Sequence, residues 1–192
     1  MNLKVANFYY TVPDLLDGFG SCVDLDYHDI PTTGAERRLI EATQIKYLAD
    51  DTSTILSDGT MESKGLVYKQ YRQAFTHDHF YDIYQQSSTN IYTLSDLSGN
   101  GKYEDINSDG NWWVASEIIH YTESGHAVFT NPSETFYLPK RFEDPFGNFI
   151  TLEYYSTYLL MISQVTDQLN NITEIEEFDM RLLQPELLRD EN

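Results

Sequence analysis

Polar and apolar residues alternate along residues 39–48, LIEATQIKYL, where Thr43, Ile45 and Tyr47 fall on one side of an extended chain and Gln44 and Lys46 on the other. A period of two marks a half-buried strand. Turn-forming residues follow at Asp50-Asp51-Thr52-Ser53 and Ser57-Asp58-Gly59-Thr60, and then a second strand-like run, GLVYKQYRQAF, at 65–75. The two runs are expected to pair as a hairpin with a long loop. At Thr76 the period changes: a capping hydroxyl precedes Phe80, Ile83 and Tyr84 at helical spacing, which predicts one short helix over 76–86. Residues 87–111 are dominated by Ser, Asn, Asp and Gly, whose side chains and backbone freedom favour local turns, so this stretch reads as a long surface loop.

The last third repeats itself. Asp144-Pro-Phe-Gly-Asn148 falls over Asp167-Gln-Leu-Asn-Asn171 at a spacing of 167 minus 144, or 23 residues, and Asp190 lies one further period on. In the same register Tyr155 falls over Phe178, Leu159 and Leu160 over Leu182 and Leu183, and Val165 over Leu188. Each unit reads as a turn that tolerates positive φ, a strand, a second bend near Ser156-Thr157 in the first unit, and a returning strand. A lone two-stranded hairpin is marginal in water, so such units are expected to belong to a continuing sheet, with more units beyond Asn192. The expected fold is mainly β, built of antiparallel strands and β-hairpin repeats with one short helix.

Composition supports this. Aromatic residues make up 14% of the 192, with 15 Tyr and 10 Phe against 2 Trp, and such side chains suit a pleated, half-buried surface. The formal charge of −19 gives a field that repels phosphate backbones and anionic headgroups, so nucleic acid is not an expected partner. Cys22 has no second cysteine with which to form a disulfide or a CxxC motif. The longest apolar run, at 158–162, is far short of a membrane helix, so no membrane insertion is expected, and the start shows no recognisable signal peptide.

Several patterns carry candidate chemistry. Asp105-Ile-Asn107-Ser-Asp109-Gly110-Asn111 matches the opening of a calcium loop, in which oxygens at alternate positions converge on a hard cation and Gly permits the sharp turn. Asp105, Asn107, Asp109 and Asn111 are therefore the candidate metal ligands. The twelfth position is Ser116 rather than a bidentate Glu and the flanks are not helical, so an acidic loop without metal is the preferred reading, and no cofactor is expected. His77 and His79, beside Asp78 and Asp82, point to different faces of a helix. His28, His120 and His126 are dispersed, and no catalytic triad follows from their spacing. Many carboxylates make a glycosidase-like pair an easy coincidence, and none is singled out. Trp112 and Trp113 suggest either a sugar-stacking platform or, the preferred reading, one ring anchoring the loop to the core while the other covers a strand.

Three blocks carry a resemblance to a known family: Arg37-Arg38-Leu39-Ile40-Glu41 through MESKGLVYKQYRQAF, then Asn111-Trp112-Trp113-Val114, and then FYLPKRFEDPFGNFITLEYYSTYLLMISQVTDQLNN with RLLQPELLRDEN. The 23-residue unit resembles the Rhs or YD repeat, and the blocks together resemble the B component of insecticidal Tc toxin complexes. The matching segment leads from the central β-propeller region into the first repeats and covers roughly residues 31–192. The resemblance divides the chain into a poorly defined segment 1–30, a β-rich pre-repeat region 31–135 and two degenerate repeats over 136–192. It implies a non-enzymatic section of a β-shell that encloses a toxic polypeptide, secreted as part of a toxin complex. The implied partners are the rest of the B component, the C component and, indirectly, the pore-forming A component. Two positions depart from the family: Asn170 stands where Gly is usual, and Tyr155-Ser156 where Tyr-Asp is common. Family shells can end in an aspartic self-cleavage site with a D-P-x-G core. Asp144-Pro145-Phe146-Gly147 fits that string, but its followers continue as a repeat strand, which argues against a protease. The competing class is a free-standing, calcium-stabilised β-rich module that binds a surface glycan or protein.

Overall fold

A computed structural model describes residues 22–25, 29–32, 36–86, 89–122, 131–159 and 161–191. His28, His126 and Leu160, together with most of the expected segment 1–30, lie outside the described residues. The fold is mainly β, as expected. Short strands β1 (Val23–Leu25) and β2 (Glu36–Arg38) form the one parallel pair among the described residues. Strands β3 (Thr43–Leu48) and β4 (Leu66–Phe75) pair antiparallel, with Thr43 opposite Arg72 and Leu48 opposite Leu66, which is the hairpin read from the alternation.

Thr76 caps helix α1 (His77–Tyr84), its hydroxyl accepting the His79 N–H at 3.2 Å. The helix stops at Tyr84, and Gln85–Gln86 begin strand β5, which pairs with β6 (Thr89–Asn90). Of the three apolar residues at helical spacing, Phe80 is only 1% exposed while Ile83 is 47% exposed. The buried face therefore runs through Phe80 and Tyr84, one turn apart, against Phe75, and Ile83 is rotated off it.

The expected loop 87–111 contains a second helix, α2 (Leu94–Gly99). Its start is a reciprocal capping box: Thr93 N–H donates to Asp96 Oδ2 at 2.8 Å, and Asp96 N–H donates to Thr93 Oγ1 at 3.2 Å. Leu97 packs inward. Beyond the Asp105–Asn111 turn, β7 (Trp112–Ala115) joins the free side of β4, completing a three-stranded sheet ordered β3-β4-β7.

The second sheet is a six-stranded antiparallel meander in which chain order equals spatial order: β8 (Ile118–His120), β9 (Arg141–Glu143), β10 (Phe149–Tyr154), β11 (Ile162–Thr166), β12 (Ile172–Asp179) and β13 (Gln184–Arg189). Leu48 and Leu66 of the first sheet pack with Tyr121, just past β8. The Tyr121 hydroxyl donates to the Val67 carbonyl at 3.0 Å, so this cluster ties the two sheets together. Between β8 and β9, a 3-10 turn (Pro132–Thr135) runs into Phe136 and Tyr137, both left-handed at φ 53° and 55°. The Lys64 ammonium lies 4.3 Å from the Tyr137 ring centroid and steadies this bend.

The two turns of the 23-residue repeat have the same hydrogen bonding. Asp144 Oδ1 accepts the N–H groups of Phe146 and Asn148, both at 2.8 Å, and the Asn148 amide donates to Oδ2 at 2.7 Å. One period on, Asp167 Oδ1 accepts from Leu169 and Asn171 at 2.8 and 2.9 Å, and the Asn171 amide donates to Oδ2 at 2.8 Å. The fourth position is left-handed in both, Gly147 at φ 83° and Asn170 at φ 64°. Asn thus takes the place of Gly without a change of turn, because its short amide tolerates that region.

Candidate functional site

The four candidate calcium ligands sit in one tight turn between Tyr103 and β7. Asp105 closes it: Oδ1 accepts the Asp109 N–H and Oδ2 the Gly110 N–H, each at 3.1 Å. Asp109 Oδ1 accepts the Asn111 N–H at 2.9 Å, and Asn111 Oδ1 accepts the His77 N–H at the start of α1 at 3.2 Å. Ser108 and Gly110 take positive φ, 56° and 81°. A Cβ on Gly110 would meet the His77 ring at 3.0 Å, so glycine lets the turn sit against the helix. Asn107 is exposed. Three of the four candidates are thus joined by backbone hydrogen bonds that shape the turn. Among the described residues, no group of three or more His, Cys, Asp or Glu side chains is placed to hold a metal ion.

The two tryptophans separate by burial. Trp113 is buried with Tyr71 and Ala115, against Ala42 and Ile106, and its backbone exchanges two hydrogen bonds with Glu104, both at 2.9 Å. Trp112 is half-buried, and its backbone is paired opposite Phe75. One ring anchors the loop to the core, as the sequence suggested. Beside it, the Tyr71 hydroxyl donates to Glu104 at 3.0 Å, and Lys69 forms an ion pair with the same carboxylate at 2.6 Å. Burial, followed by the nearby Glu104 charge, pushes the Tyr71 phenol above its ordinary range.

The three described histidines do not converge. The His77 ring contacts Asp78 at 2.8 Å and Tyr81 at a centroid distance of 5.0 Å, whereas the His79 ring lies 6.3 Å from Phe75. His120 is across the sheet, 2.9 Å from Glu143. Among the described residues the shifted carboxylates, Asp24, Asp50, Asp51, Asp96, Asp144 and Asp167, all move downward. Hydrogen-bond donors hold them ionised, the reverse of what burial does to a general acid. Lys140 is buried at 6% exposure with its ammonium 5.3 Å from the Tyr154 ring centroid, and burial lowers its pKa.

Two features carry more weight than these single residues. The first is the outer edge of the large sheet: every residue of β13 is exposed, including Leu187 and Leu188, and the bend before it exposes Leu182 and Leu183. Three of these four leucines, Leu182, Leu183 and Leu188, fall in the repeat register read from the sequence. The second is a cleft of about 490 Å³ between α1 and α2, walled by Phe75, Phe80, Tyr84, Tyr92 and Tyr103. The sequence reading missed it because it joins residues from β4, two helices and two connecting turns. The signal available was the density of Tyr and Phe on either side of α2.

No family model matches the sequence, and no curated protein matches it. Solved structures do resemble the fold. Over 77% of its length the chain aligns with the crystal structure of TcdB2-TccC3-TEV at a TM-score of 0.54 and 18% identity. The crystal structure of TcdB2-TccC3-Cdc42 matches over the same share at 0.55 and 17%. The Photorhabdus luminescens Tc holotoxin pore matches it at 0.54 and 17%. The chain spans only 7%, 7% and 6% of those chains. Its fold is therefore Tc toxin-related.

Proposed function

We propose that the chain is a section of wall in the β-shell of a Tc toxin complex, a structural part without catalysis of its own that helps to enclose a toxic polypeptide for delivery. Its partners in this reading are the rest of the B component, the C component and, through the assembled shell, the pore-forming A component. Export is as part of that complex.

The edge strand β13 is the observation that carries the reading. Among the described residues it is the last strand of its sheet, paired only with β12, and it exposes Leu187 and Leu188 on a sheet whose units repeat every 23 residues. Such an edge pairs with another strand whenever one is available, and a shell wound from one sheet supplies that neighbour while keeping the edge from aggregation. The likeness to TcdB2-TccC3 chains supports the same assignment, since the matched region is a small part of a much larger chain.

The test is complementation. A TcdB2-TccC3 complex lacking the aligned segment is coexpressed with this chain, and shell closure is followed by electron microscopy and by protease resistance of the enclosed polypeptide. Incorporation with restored protection is expected. A chain that stays monomeric over two decades of concentration and never enters the complex would overturn the proposal, most directly if calcium also stabilised it, as the free-standing module requires.

A further inference from the structure

The cleft between α1 and α2 has a construction that the wall role does not use. Phe80 forms its buried floor at 1% exposure, while Tyr92, at 52%, stands at its rim. The rings are set as walls at angles to one another. Tyr84 and Tyr92 are 5.4 Å apart at 84°, Phe75 and Tyr84 5.8 Å apart at 77°, and Phe75 and Tyr103 5.6 Å apart at 49°. Rings set at these angles and distances meet edge to face or tilted rather than flat, and the cleft of about 490 Å³ opens among them.

That space is maintained by the backbone. A Cβ on Gly101 would lie 2.7 Å from the Tyr103 ring and 2.9 Å from the Leu97 carbonyl, so only glycine lets Tyr103 lie against the end of α2. Asp96 also lines the cleft. Hydrogen bonds from the Thr93 hydroxyl and N–H hold its carboxyl below the usual range, so it is negative at neutral pH. The chain as a whole carries −19, which concentrates cations at its surface.

Aromatic faces present negative potential to whatever they enclose, and several faces with a carboxylate nearby select a cation that is bulky and weakly hydrated. We propose that this cleft is a binding site for a quaternary ammonium group, walled by Phe75, Tyr84, Tyr92 and Tyr103 over Phe80, with Asp96 supplying charge. The group can come from a free choline-type molecule or from a choline lipid headgroup; the recognising chemistry is the same.

Calorimetry of the full chain with choline and with its neutral tert-butyl isostere, carbon in place of nitrogen, tests the charge requirement. Choline is expected to bind saturably and the isostere about 10-fold or more weakly. Tyr92→Ala, at an exposed position, is expected to weaken choline about 3- to 30-fold with an unchanged circular dichroism spectrum, while Tyr92→Phe retains binding. Gly101→Ala, which displaces Tyr103, is expected to weaken it too. Cosedimentation with phosphatidylcholine vesicles then identifies the source: pelleting marks the lipid headgroup, and choline binding without pelleting marks the free molecule. Absence of saturable choline binding, equal affinity for the isostere, or full affinity in folded Tyr92→Ala would each overturn the proposal.

Discussion

Tyr155 and Phe178, one repeat apart in the sequence, touch in the fold: their ring centroids are 5.2 Å apart at an interplanar angle of 58°. Tyr158 extends the cluster, stacked on Tyr155 at 6.2 Å. Equivalent positions of successive units thus pack directly on each other, which is how a periodic sequence stabilises neighbouring hairpins. A double-mutant cycle on Tyr155→Leu and Phe178→Leu is expected to give a coupling of about 0.5–1.5 kcal/mol in urea unfolding, the range of tilted aromatic pairs. A coupling near zero would mean that the units stand independently.

The same repeat tests the left-handed turn position. Gly147 and Asn170 occupy equivalent places with positive φ. Asn170→Gly is expected to leave stability within a few tenths of a kcal/mol of wild type or raise it. Asn170→Val, β-branched and without the amide that suits this region, is expected to cost about 1–2 kcal/mol. Thermal unfolding of the two variants side by side decides this.

Features set by neighbouring residues were legible in the sequence. The alternation over 43–48 yielded β3, Thr76 declared the start of α1, and the two Asp turns fixed the repeat because each is closed by side chains within five positions. Helix α2 hid in a segment whose composition favours loops, and only the Thr93-x-x-Asp96 box signalled it. The partnership of β7 with β4 and the aromatic cleft depend on contacts between distant residues, such as Tyr71 opposite Ala115 and Phe75 against Tyr103, for which no local pattern exists. Of the candidate site, the sequence located the Asp105–Asn111 turn, whereas its attachment to His77 of α1 needed the structure.

Acid should loosen the repeat turns. The carboxyls of Asp144 and Asp167 are held below their ordinary value of 3.8, chiefly by the Asn148 and Asn171 amides. A lowered folded-state pKa means that stability is complete above the unfolded value and is lost as pH falls through the folded one. Tm is therefore expected to be flat near neutral pH and to fall below about pH 4. Asp144→Asn with Asp167→Asn keeps an acceptor and removes the titration, so the acid limb should flatten. An unchanged limb would place the acid sensitivity elsewhere.

The two tryptophans should differ sharply. Trp113 fills a core position with Tyr71 and Ala115 at 6% exposure, so Trp113→Ala is expected to cost about 3–5 kcal/mol. The half-buried Trp112 should cost clearly less on the same change. In the single-tryptophan variants, Trp113 should emit at shorter wavelength and resist quenching by iodide. Equal quenching of both would contradict the burial on which the anchoring role rests.

Calcium should not stabilise the Asp105–Asn111 turn. Both oxygens of Asp105 already accept backbone N–H groups, from Asp109 and Gly110, and Asn111 is engaged by the His77 N–H. The turn is thus closed by its own hydrogen bonds, and a bound cation would have to share the lone pairs that hold it. A ligand that binds only the folded state at a hundred times its Kd adds about 2.7 kcal/mol, a shift in Tm that is easily measured. Millimolar calcium is expected to produce none beyond that of magnesium at equal ionic strength. A calcium-specific rise in Tm, abolished by Asp105→Ala and Asp109→Ala, would instead establish the turn as a metal site and favour the free-standing module over the shell wall.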